Sequence, residues 1–261
     1  MGDYVKERLD LLLVERRLVE SRTKAKWLID NGYVLVNDRV IRKPSTRVDN
    51  SLKISLKKSF PYVGRRGLKL EAALNQFCIG LQNKICADIG ASIGGFTDCL
   101  LKHGAEKVYA IDIAVDLLHP SLICNKKQVI ALLGVDARKL NDLGEKVDMI
   151  VINITFSLLK DVLRNVTKFL KINGDIIVLV KPIFENDFYG KQKFKVVKDK
   201  KQLRDVLNDL LDWSVKSDLC PKNVMRSPIL GKGGSTEFFI RFKRKDGVNE
   251  KDYARLLKNV I

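Results

Sequence analysis

Four polar residues of this sequence stand beside apolar segments, and their types suit proton transfer. They are two lysines, an amide and a carboxylate: Lys69, Asn153, Lys181 and Glu237. Each one alone could simply mark the point where a buried segment reaches solvent. Together they predict a site, because open sheets display functional groups at the ends of their strands. A lysine whose pKa is lowered from about 10.4 by burial or by a second cation can accept a hydroxyl proton.

A glycine-rich turn at residues 90–95 is the second chemical signal. It joins the apolar run 85–89 to a segment of helical spacing. Glycines let the backbone approach a ligand closely, although such a turn can also be a plain helix cap. The next apolar run, 107–112, ends in Asp112, at the spacing where a carboxylate meets ribose hydroxyls. The Gly-x-x-x-Gly-Gly pattern differs from that of nicotinamide binders and favours S-adenosylmethionine.

The predicted cofactor contacts come from this turn and from two later positions. The turn and its flanks contribute Asp88, Gly90, Ala91, Ser92, Gly94, Gly95 and Phe96. Asp112 and Ile113 are expected at the ribose. Asp136 and Ala137 are expected at the adenine, where Asp136 can accept from the amino group; a turn at the edge of the core is the alternative.

The formal net charge of +17 favours polyanionic partners, phosphate backbones first and anionic membrane surfaces second. Residues 1–69 hold 17 Lys and Arg against 8 Asp and Glu. Two helices near 8–17 and 22–31, followed by a hairpin turning at 37–38, are predicted there. Solvated lysine-rich faces are the alternative to RNA contact. The predicted RNA contacts are Arg8, Arg22, Lys24, Lys26, Arg42, Lys43, Arg65 and Arg66.

Composition argues against several classes of protein. No stretch approaches the roughly 18 consecutive apolar residues of a membrane helix, and the first residues are too charged for a secretory signal. The 5 cysteines form no Cys-x-x-Cys pair and there are 2 histidines. Neither disulfides nor a metal site is therefore indicated. We expect a cytoplasmic protein with no metal and no stable membrane association.

The remainder of the chain alternates predicted strands and helices, which is typical of an α/β, Rossmann-like fold with a doubly wound, mostly parallel sheet. Strands are predicted near 85–89, 107–112, 147–153, 175–181 and 236–243. Helices are predicted near 68–76, 95–102, 158–171 and 200–212, with Asn173-Gly174 as a helix stop and a terminal helix over 250–260. We expect a small α+β domain at 1–59, a linker at 60–67 and the cofactor-binding domain at 68–261.

Residues 6–58 resemble the αL RNA-binding domain that is named after ribosomal protein S-four. The matching segments are Arg8-Leu9-Asp10, Ser21-Arg22-x-Lys24-Ala25, Asn31-Gly32-Tyr33-Val34-x-Val36-Asn37 and Lys43-Pro44-Ser45. The cofactor-binding domain resembles FtsJ-like RNA 2′-O-methyltransferases. Its matching segments are Tyr62-Val63-x-Arg65-x-Gly67-Leu68-Lys69-Leu70, Asp88 to Asp98, Val108-Tyr109-Ala110-x-Asp112, Lys181-Pro182-x-Phe184-Glu185, Ser227-Pro228-Ile229-x-Gly231 and Glu237-Phe238.

The whole chain resembles the hemolysin A (TlyA) family, which joins these two domains. The resemblance implies S-adenosylmethionine-dependent methylation of ribose 2′-hydroxyls in ribosomal RNA, with that RNA or ribosomal subunits as partners. Some members are also named for haemolytic activity. The catalytic set implied by the resemblance is Lys, Asp, Lys and Glu, and it falls on Lys69, Asn153, Lys181 and Glu237.

This sequence departs from the family pattern at several positions. Asn153 replaces the catalytic aspartate, which removes a negative charge beside the methyl donor. Loss of such a preorganised group typically costs about 10²–10³ in rate, so impaired or altered catalysis is expected. Arg66 replaces a small residue, and residues 114–118 replace a glycine and a glutamine. A basic segment at 191–198 replaces glycines and is either an RNA contact or a solvated loop.

Three functions remain open on the sequence alone. The first is a ribosomal RNA ribose methyltransferase in which Lys181 handles the 2′-hydroxyl proton. The second is an RNA-binding protein of the same fold that has lost methyl transfer, and Asn153 separates the two. The third is a membrane-active haemolysin, for which no suitable amphipathic segment is visible. Residues 153–156 also distantly resemble the Asn-Pro-Pro-aromatic motif of base-amino methyltransferases, without its prolines.

Overall fold

A computed structural model describes residues 6–155, 157–185, 196–244, 253–258 and 260. The chain divides into two compact units, Met1–Arg65 and Arg66–Ile261. Three of the predicted segments lie partly outside the described residues: the basic segment at 191–198, the terminal helix over 250–260, and the Asn-x-x-aromatic segment at 153–156, whose position 156 is not described.

The first unit combines two helices with five short strands. Their bounds are β1 (Lys6–Arg8), α1 (Leu9–Glu15), α2 (Arg22–Asp30), β2 (Val34–Val36), β3 (Arg39–Val40), β4 (Arg47–Asp49) and β5 (Ile54–Leu56). β2 pairs with both β3 and β5, and β1 pairs with β4, all antiparallel. The side chain of Ser21 caps α2, since it accepts from the Lys24 backbone N–H.

The predicted hairpin of the first unit is also confirmed. Its turn residues, Asn37 and Asp38, have φ of 45° and 62°, the left-handed conformation that two-residue hairpin turns favour. Behind the hairpin, one face of each helix packs into a shared apolar core. That core is formed by Leu9, Leu12, Leu13, Ala25, Leu28, Ile29, Val34, Val36 and Val48.

The described part of the second unit has a seven-stranded sheet in the order β11-β12-β10-β9-β6-β7-β8. The strands are β6 (Ile85–Ile89), β7 (Lys107–Asp112), β8 (Val129–Leu133), β9 (Val147–Ile152), β10 (Leu170–Val180), β11 (Leu219–Arg226) and β12 (Phe238–Arg244). The helices are α3 (Arg66–Gln76), α4 (Gly95–Lys102), α5 (Pro120–Cys124), α6 (Leu159–Val166), α7 (Pro182–Glu185) and α8 (Lys200–Lys216). Strands β8, β7, β6, β9 and β10 are parallel, whereas β12 is antiparallel to β10 and β11. The predicted mostly parallel sheet is confirmed.

Helices α6 and α8 contribute apolar faces to the core of the second unit. Leu159, Leu163 and Val166 of α6 pack in one cluster with strand residues such as Ile150 and Val178. This recurrence at three and four residues is the signature of an amphipathic helix. Burial of such a large continuous face holds the strand ends in a fixed arrangement.

Three of the expected elements need correction. The helix predicted to reach residue 171 ends at Val166, followed by a 3-10 turn at Thr167–Phe169. Asn173 and Gly174 do not stop a helix; they lie inside β10, where the register with β9 shifts between Leu170 and Asp175. The described part of the terminal segment is a 3-10 helix, Tyr253–Leu257, with Leu257 in the core. Strands β8 and β11 have no counterpart among the predicted elements.

Gly94 is expected to be essential for the turn before α4. Its φ is +90°, and a Cβ there would lie 2.1 Å from Leu122 Cδ1. Gly94→Ala should lower the free energy of unfolding by about 1–3 kcal/mol, because it adds left-handed strain and overlap. Chemical denaturation measures this change.

Gly80→Ala is the matched control for this substitution. Gly80 has no positive φ and nothing within 4 Å of an added Cβ, so its stability should change by less than about 0.5 kcal/mol. Equal effects at both glycines would contradict the role assigned to Gly94.

Candidate active site

A pocket of about 260 Å³ opens at the carboxyl ends of β6, β7 and β9. Its position follows from the parallel pairing of these strands, since Ile89 pairs with both Ile111 and Ile152. The residues after each strand therefore meet around one cavity. The lining is Arg66, Ile89, Gly90, Ser92, Ile111, Asp112, Ile113, Ala114, Leu117, Val135, Asp136, Ala137, Asn153, Ile154, Thr155, Ser157 and Val162.

Gly90 and Asn153 form the floor of this pocket where β6 and β9 end. Gly90 has φ +81°, and a Cβ at that position would lie 2.6 Å from the Asn153 carbonyl oxygen. Only glycine fits so close an approach in this conformation. The Asn153 backbone N–H donates to the Ile89 carbonyl at 2.9 Å. Its side-chain Oδ1 is buried and accepts no hydrogen bond from any of the described residues.

Asp112 stands at the end of β7, as the spacing of the sequence predicts. Its carboxylate accepts from the backbone N–H groups of Ser92 at 2.7 Å and Ala114 at 2.8 Å. These bonds fix the carboxylate at the pocket wall and tie it to the glycine-rich turn. The oxygens keep further lone pairs that can accept from hydroxyl groups of a ligand.

The far wall of the pocket joins an acidic residue to apolar side chains. Asp136 pairs with Arg138 at 2.7 Å, and the hydrogen bonds from Arg138 hold the pKa of Asp136 below its usual range. Ile113 is two-thirds exposed and lies in the same wall as Ala137. An apolar surface beside a fixed carboxylate can receive a flat heterocycle and one of its polar edges.

Five of the predicted cofactor contacts do not line the pocket. Asp88 is fully buried below the turn, accepts from the Thr97 hydroxyl at 2.7 Å, and has its pKa raised to about 7 by burial. Phe96 points into the core, where its ring lies 6.3 Å from that of Phe239. Three more of the predicted contacts do not line the pocket: Ala91, Gly94 and Gly95. These five residues belong to the turn and to the ends of β6 and α4 that flank it.

Lys69 and Glu237 form a buried ion pair in the second unit. The Lys69 Nζ lies 2.6 Å from Glu237 Oε2, and the two side chains are 4% and 6% exposed. Lys69 comes from α3, whereas Glu237 directly precedes β12. The antiparallel register pairs Phe238 with Val180, so it places Glu237 beside the end of β10.

Lys181 follows the last residue of β10 and is also buried. Its Nζ donates to the backbone carbonyl of Ile154 at 2.8 Å, which ties it to the segment after Asn153. Burial lowers the pKa of Lys181 to about 7, and the positive charges of Arg66 and Lys69 act in the same direction. Glu237 opposes this effect. Lys181 is therefore a candidate proton acceptor near neutral pH.

Arg66 is predicted to contact RNA, but the structure places it in the wall of the pocket. It is the first residue of α3, is half-buried and lines the pocket. Its charge adds to the lowering of the Lys181 pKa that burial causes, and it partly offsets the rise that burial causes in the pKa of Asp88. The sequence marks the arginine as unusual for the family but carries no signal for its burial. Much of the apolar lining, including Leu117 and Val162, has no sequence signal either.

The other predicted RNA contacts lie in the first unit and differ in their surroundings. Arg8 and Arg22 converge on the buried Asp10 carboxylate at 2.9 Å and 3.1 Å, and the bond from Arg8 lowers the pKa of Asp10. Lys24 is buried and pairs with Glu20 at 2.5 Å, so its ammonium is not presented openly. The remaining four are exposed: Lys26, Arg42, Lys43 and Arg65.

A mostly parallel sheet with a pocket at its strand ends and buried lysines beside it defines a methyltransferase of the Rossmann-like class. Residues 62–244 match the family of FtsJ-like methyltransferases, and residues 7–54 match the S4 domain. The chain therefore belongs to the FtsJ-like methyltransferase family and carries an S4 domain. The fold is shared with an S-adenosylmethionine-dependent methyltransferase from Mesorhizobium loti at 14% identity, covering 69% of this chain and 100% of that one, with a TM-score of 0.53.

Relatives of similar length support the same assignment. The chain is 34% identical to the 16S/23S rRNA (cytidine-2′-O)-methyltransferase TlyA of Mycobacterium tuberculosis, covering 89% of this chain and 88% of the relative. It is 33% identical to Hemolysin A of Brachyspira hyodysenteriae, with 90% and 99% covered. A solved structure of a candidate hemolysin from Streptococcus thermophilus is 31% identical, covers 93% of this chain and 90% of that one, and has a TM-score of 0.68.

Features of two other kinds of site do not occur in the described part of the chain. Within it, no group of three or more His, Cys, Asp or Glu side chains is arranged to hold a metal ion. No helix among the described residues is long and apolar enough to cross a membrane.

Breaking the Lys69–Glu237 pair should destabilise the second unit. Lys69→Met or Glu237→Leu alone leaves a buried charge without its partner, and each should lower the free energy of unfolding by about 3–5 kcal/mol. The double variant should lose much less than the sum of the two. Chemical denaturation of the four proteins measures this coupling, and additive losses would show that the pair is not coupled.

Proposed function

We propose that this chain is an S-adenosylmethionine-dependent methyltransferase that modifies ribose 2′-hydroxyls of ribosomal RNA. Membership of the FtsJ-like family and the name of the Mycobacterium tuberculosis relative support the reaction and the class of RNA. The S4 domain and the charge of +17 support an RNA partner.

The observation that carries the proposal is the burial of Lys181 beside the pocket, together with its lowered pKa. A ribose 2′-hydroxyl is a weak nucleophile and needs a proton acceptor close to the methyl donor. Lys181 is buried beside the cofactor pocket, and its pKa is lowered to about 7 by burial and neighbouring cations. A substantial fraction of its amines is therefore neutral at physiological pH and able to accept that proton.

The residues of the pocket fit the methyl donor. Asp112 is held at the pocket wall, where it can accept from the ribose hydroxyls, and Asp136 and Ala137 line the adenine end together with Ile113. The orphaned Oδ1 of Asn153 is a buried acceptor that a ligand can satisfy. When bound, S-adenosylmethionine supplies an electrophilic methyl group on a sulfonium.

The remaining residues accept the hydroxyl proton and set the electrostatic environment of the acceptor. Lys181 takes the proton, and the Ile154 carbonyl orients its Nζ. Lys69 keeps a positive charge nearby because Glu237 holds it in the ion pair. The pKa of Lys181 is lowered mainly by burial and next by the charge of Arg66, and these effects favour its neutral form; the smaller lowering by Lys69 is opposed by Glu237.

The S4 domain is proposed to hold the RNA. Asp10 draws Arg8 and Arg22 together, and both guanidiniums remain partly exposed at 39% and 52%. Such an arrangement presents two cations at a fixed spacing to a phosphate backbone. Lys26 adds an exposed charge on the same helix as Arg22. We further propose that the protein works in the cytoplasm, where ribosomal subunits are its substrates.

A second candidate function is supported by Asn153. This residue stands at the pocket floor where the family pattern has an aspartate, so a negative charge beside the donor is missing. An RNA-binding protein that retains the fold but has lost methyl transfer is consistent with that change. Measurement of transfer decides between the two functions.

Methyl transfer from tritiated S-adenosylmethionine to undermethylated ribosomal subunits tests the proposed enzyme. The wild-type protein should label the RNA, and Lys181→Ala should reduce the rate by about 10²–10⁴, the usual contribution of a general base. Lys216→Ala removes a lysine at the far end of α8 and serves as the matched control. Labelling that survives in Lys181→Ala would contradict the role of Lys181, and absence of labelling by wild type would favour the RNA-binding function.

The pH dependence of transfer tests the same lysine independently. Because only neutral Lys181 accepts a proton, the rate should rise with pH through about 7 and level off above it. Asn153→Asp places a carboxylate near the site, raises the pKa of Lys181 and should move the midpoint to higher pH. A midpoint that is the same in wild type and Asn153→Asp would contradict this electrostatic coupling.

A further inference from the structure

One end of the cofactor pocket carries a cation without a counter-ion. Arg66 lines the pocket from the start of α3 and is half-buried. Among the described residues, nothing forms a hydrogen bond or ion pair with its guanidinium. A partly desolvated guanidinium binds most strongly to a carboxylate or phosphate, with which it can form two parallel hydrogen bonds.

The carboxylates near Arg66 do not neutralise it. Asp112 is held by two backbone N–H groups, and Asp136 is paired with Arg138. Asp88 is fully buried, and burial raises its pKa to about 7. Lys181 also lies within electrostatic range of Arg66, whose charge contributes to the lowering of the Lys181 pKa, so it offers Arg66 no negative charge. This end of the pocket is therefore electrostatically suited to an anionic group of the ligand.

Asn153 contributes a hydrogen-bond acceptor to the lining of the same pocket. Asn153 is 5% exposed and lines the pocket together with Arg66, and within the described part of the chain its Oδ1 has no hydrogen-bond partner. A buried acceptor left without a donor costs roughly 1–3 kcal/mol, so a donor from the ligand is expected there. The amide is neutral and does not compete with the ligand for Arg66 as an aspartate would.

We infer that Arg66 and Asn153 together hold the zwitterionic amino-acid end of the methyl donor. Arg66 binds the α-carboxylate and the Oδ1 of Asn153 accepts from the α-ammonium. This inference rests on the proposed function, because it assumes that the pocket binds the methyl donor. It assigns to Arg66 a role in cofactor selection, in place of the RNA contact that its charge alone predicts.

Calorimetric binding of two nucleosides tests the inference without any need for activity. S-adenosylhomocysteine carries the amino-acid end, whereas 5′-methylthioadenosine lacks it. Arg66→Met should lower the affinity of the protein for S-adenosylhomocysteine by about 10- to 100-fold, which is the range for a lost charge-assisted hydrogen bond. The same substitution should change the affinity for 5′-methylthioadenosine by no more than about twofold. Retained binding of this nucleoside would also show that the pocket of the variant is folded. Arg66→Lys should fall between wild type and Arg66→Met.

Two further variants sharpen the comparison. Asn153→Leu should also lower the affinity for S-adenosylhomocysteine without lowering that for 5′-methylthioadenosine. Arg204→Met removes an exposed arginine of α8 and should change neither affinity. Unchanged S-adenosylhomocysteine affinity in Arg66→Met, or equal weakening of both ligands, would overturn the inference and leave the proposed function intact. A wild-type protein that binds neither nucleoside would overturn both.

Discussion

The site depends on the crowding of positive charge around the end of β10. Lys69 and Arg66 both act on Lys181 there, yet Glu237 forms its ion pair with Lys69 and with no other cation in the described part of the chain. Lys181 instead donates to a neutral backbone carbonyl. Burial lowers the pKa of Lys181, the excess of positive charge adds to this effect, and the same excess leaves Arg66 available for an anion. The proton transfer proposed for Lys181 and the cofactor contact proposed for Arg66 therefore depend on the same arrangement of charges.

The sheet makes this crowding possible because its register brings distant residues together. Parallel pairing of β6 with β9 sets Gly90 against Asn153, and antiparallel pairing of β10 with β12 sets Glu237 beside Lys181. The buried faces of α6 and α8 hold these strands in place. Burial of apolar surface far from the pocket thus sustains charges that would be unfavourable without it.

Much of this arrangement can be predicted from the sequence, and the failures have physical reasons. The glycine-rich turn and Asp112 are predictable because local spacing determines them. The pair Asn173-Gly174 misleads because such a pair often ends a helix, whereas here Gly174 packs against Leu170 inside a strand. Arg66 is assigned to RNA because charge is visible in a sequence and burial is not. The position of Glu237 beside Lys181 requires the strand order, which no local pattern reveals.

The position of the transferred methyl group in the RNA tests most directly whether this site methylates a ribose hydroxyl. Ribosomal RNA labelled by the protein can be hydrolysed with alkali, which cleaves beside free 2′-hydroxyls and leaves 2′-O-methylated linkages intact. We expect the label to remain in alkali-resistant dinucleotides. Label recovered in single nucleotides, as methylated bases, would contradict the claim.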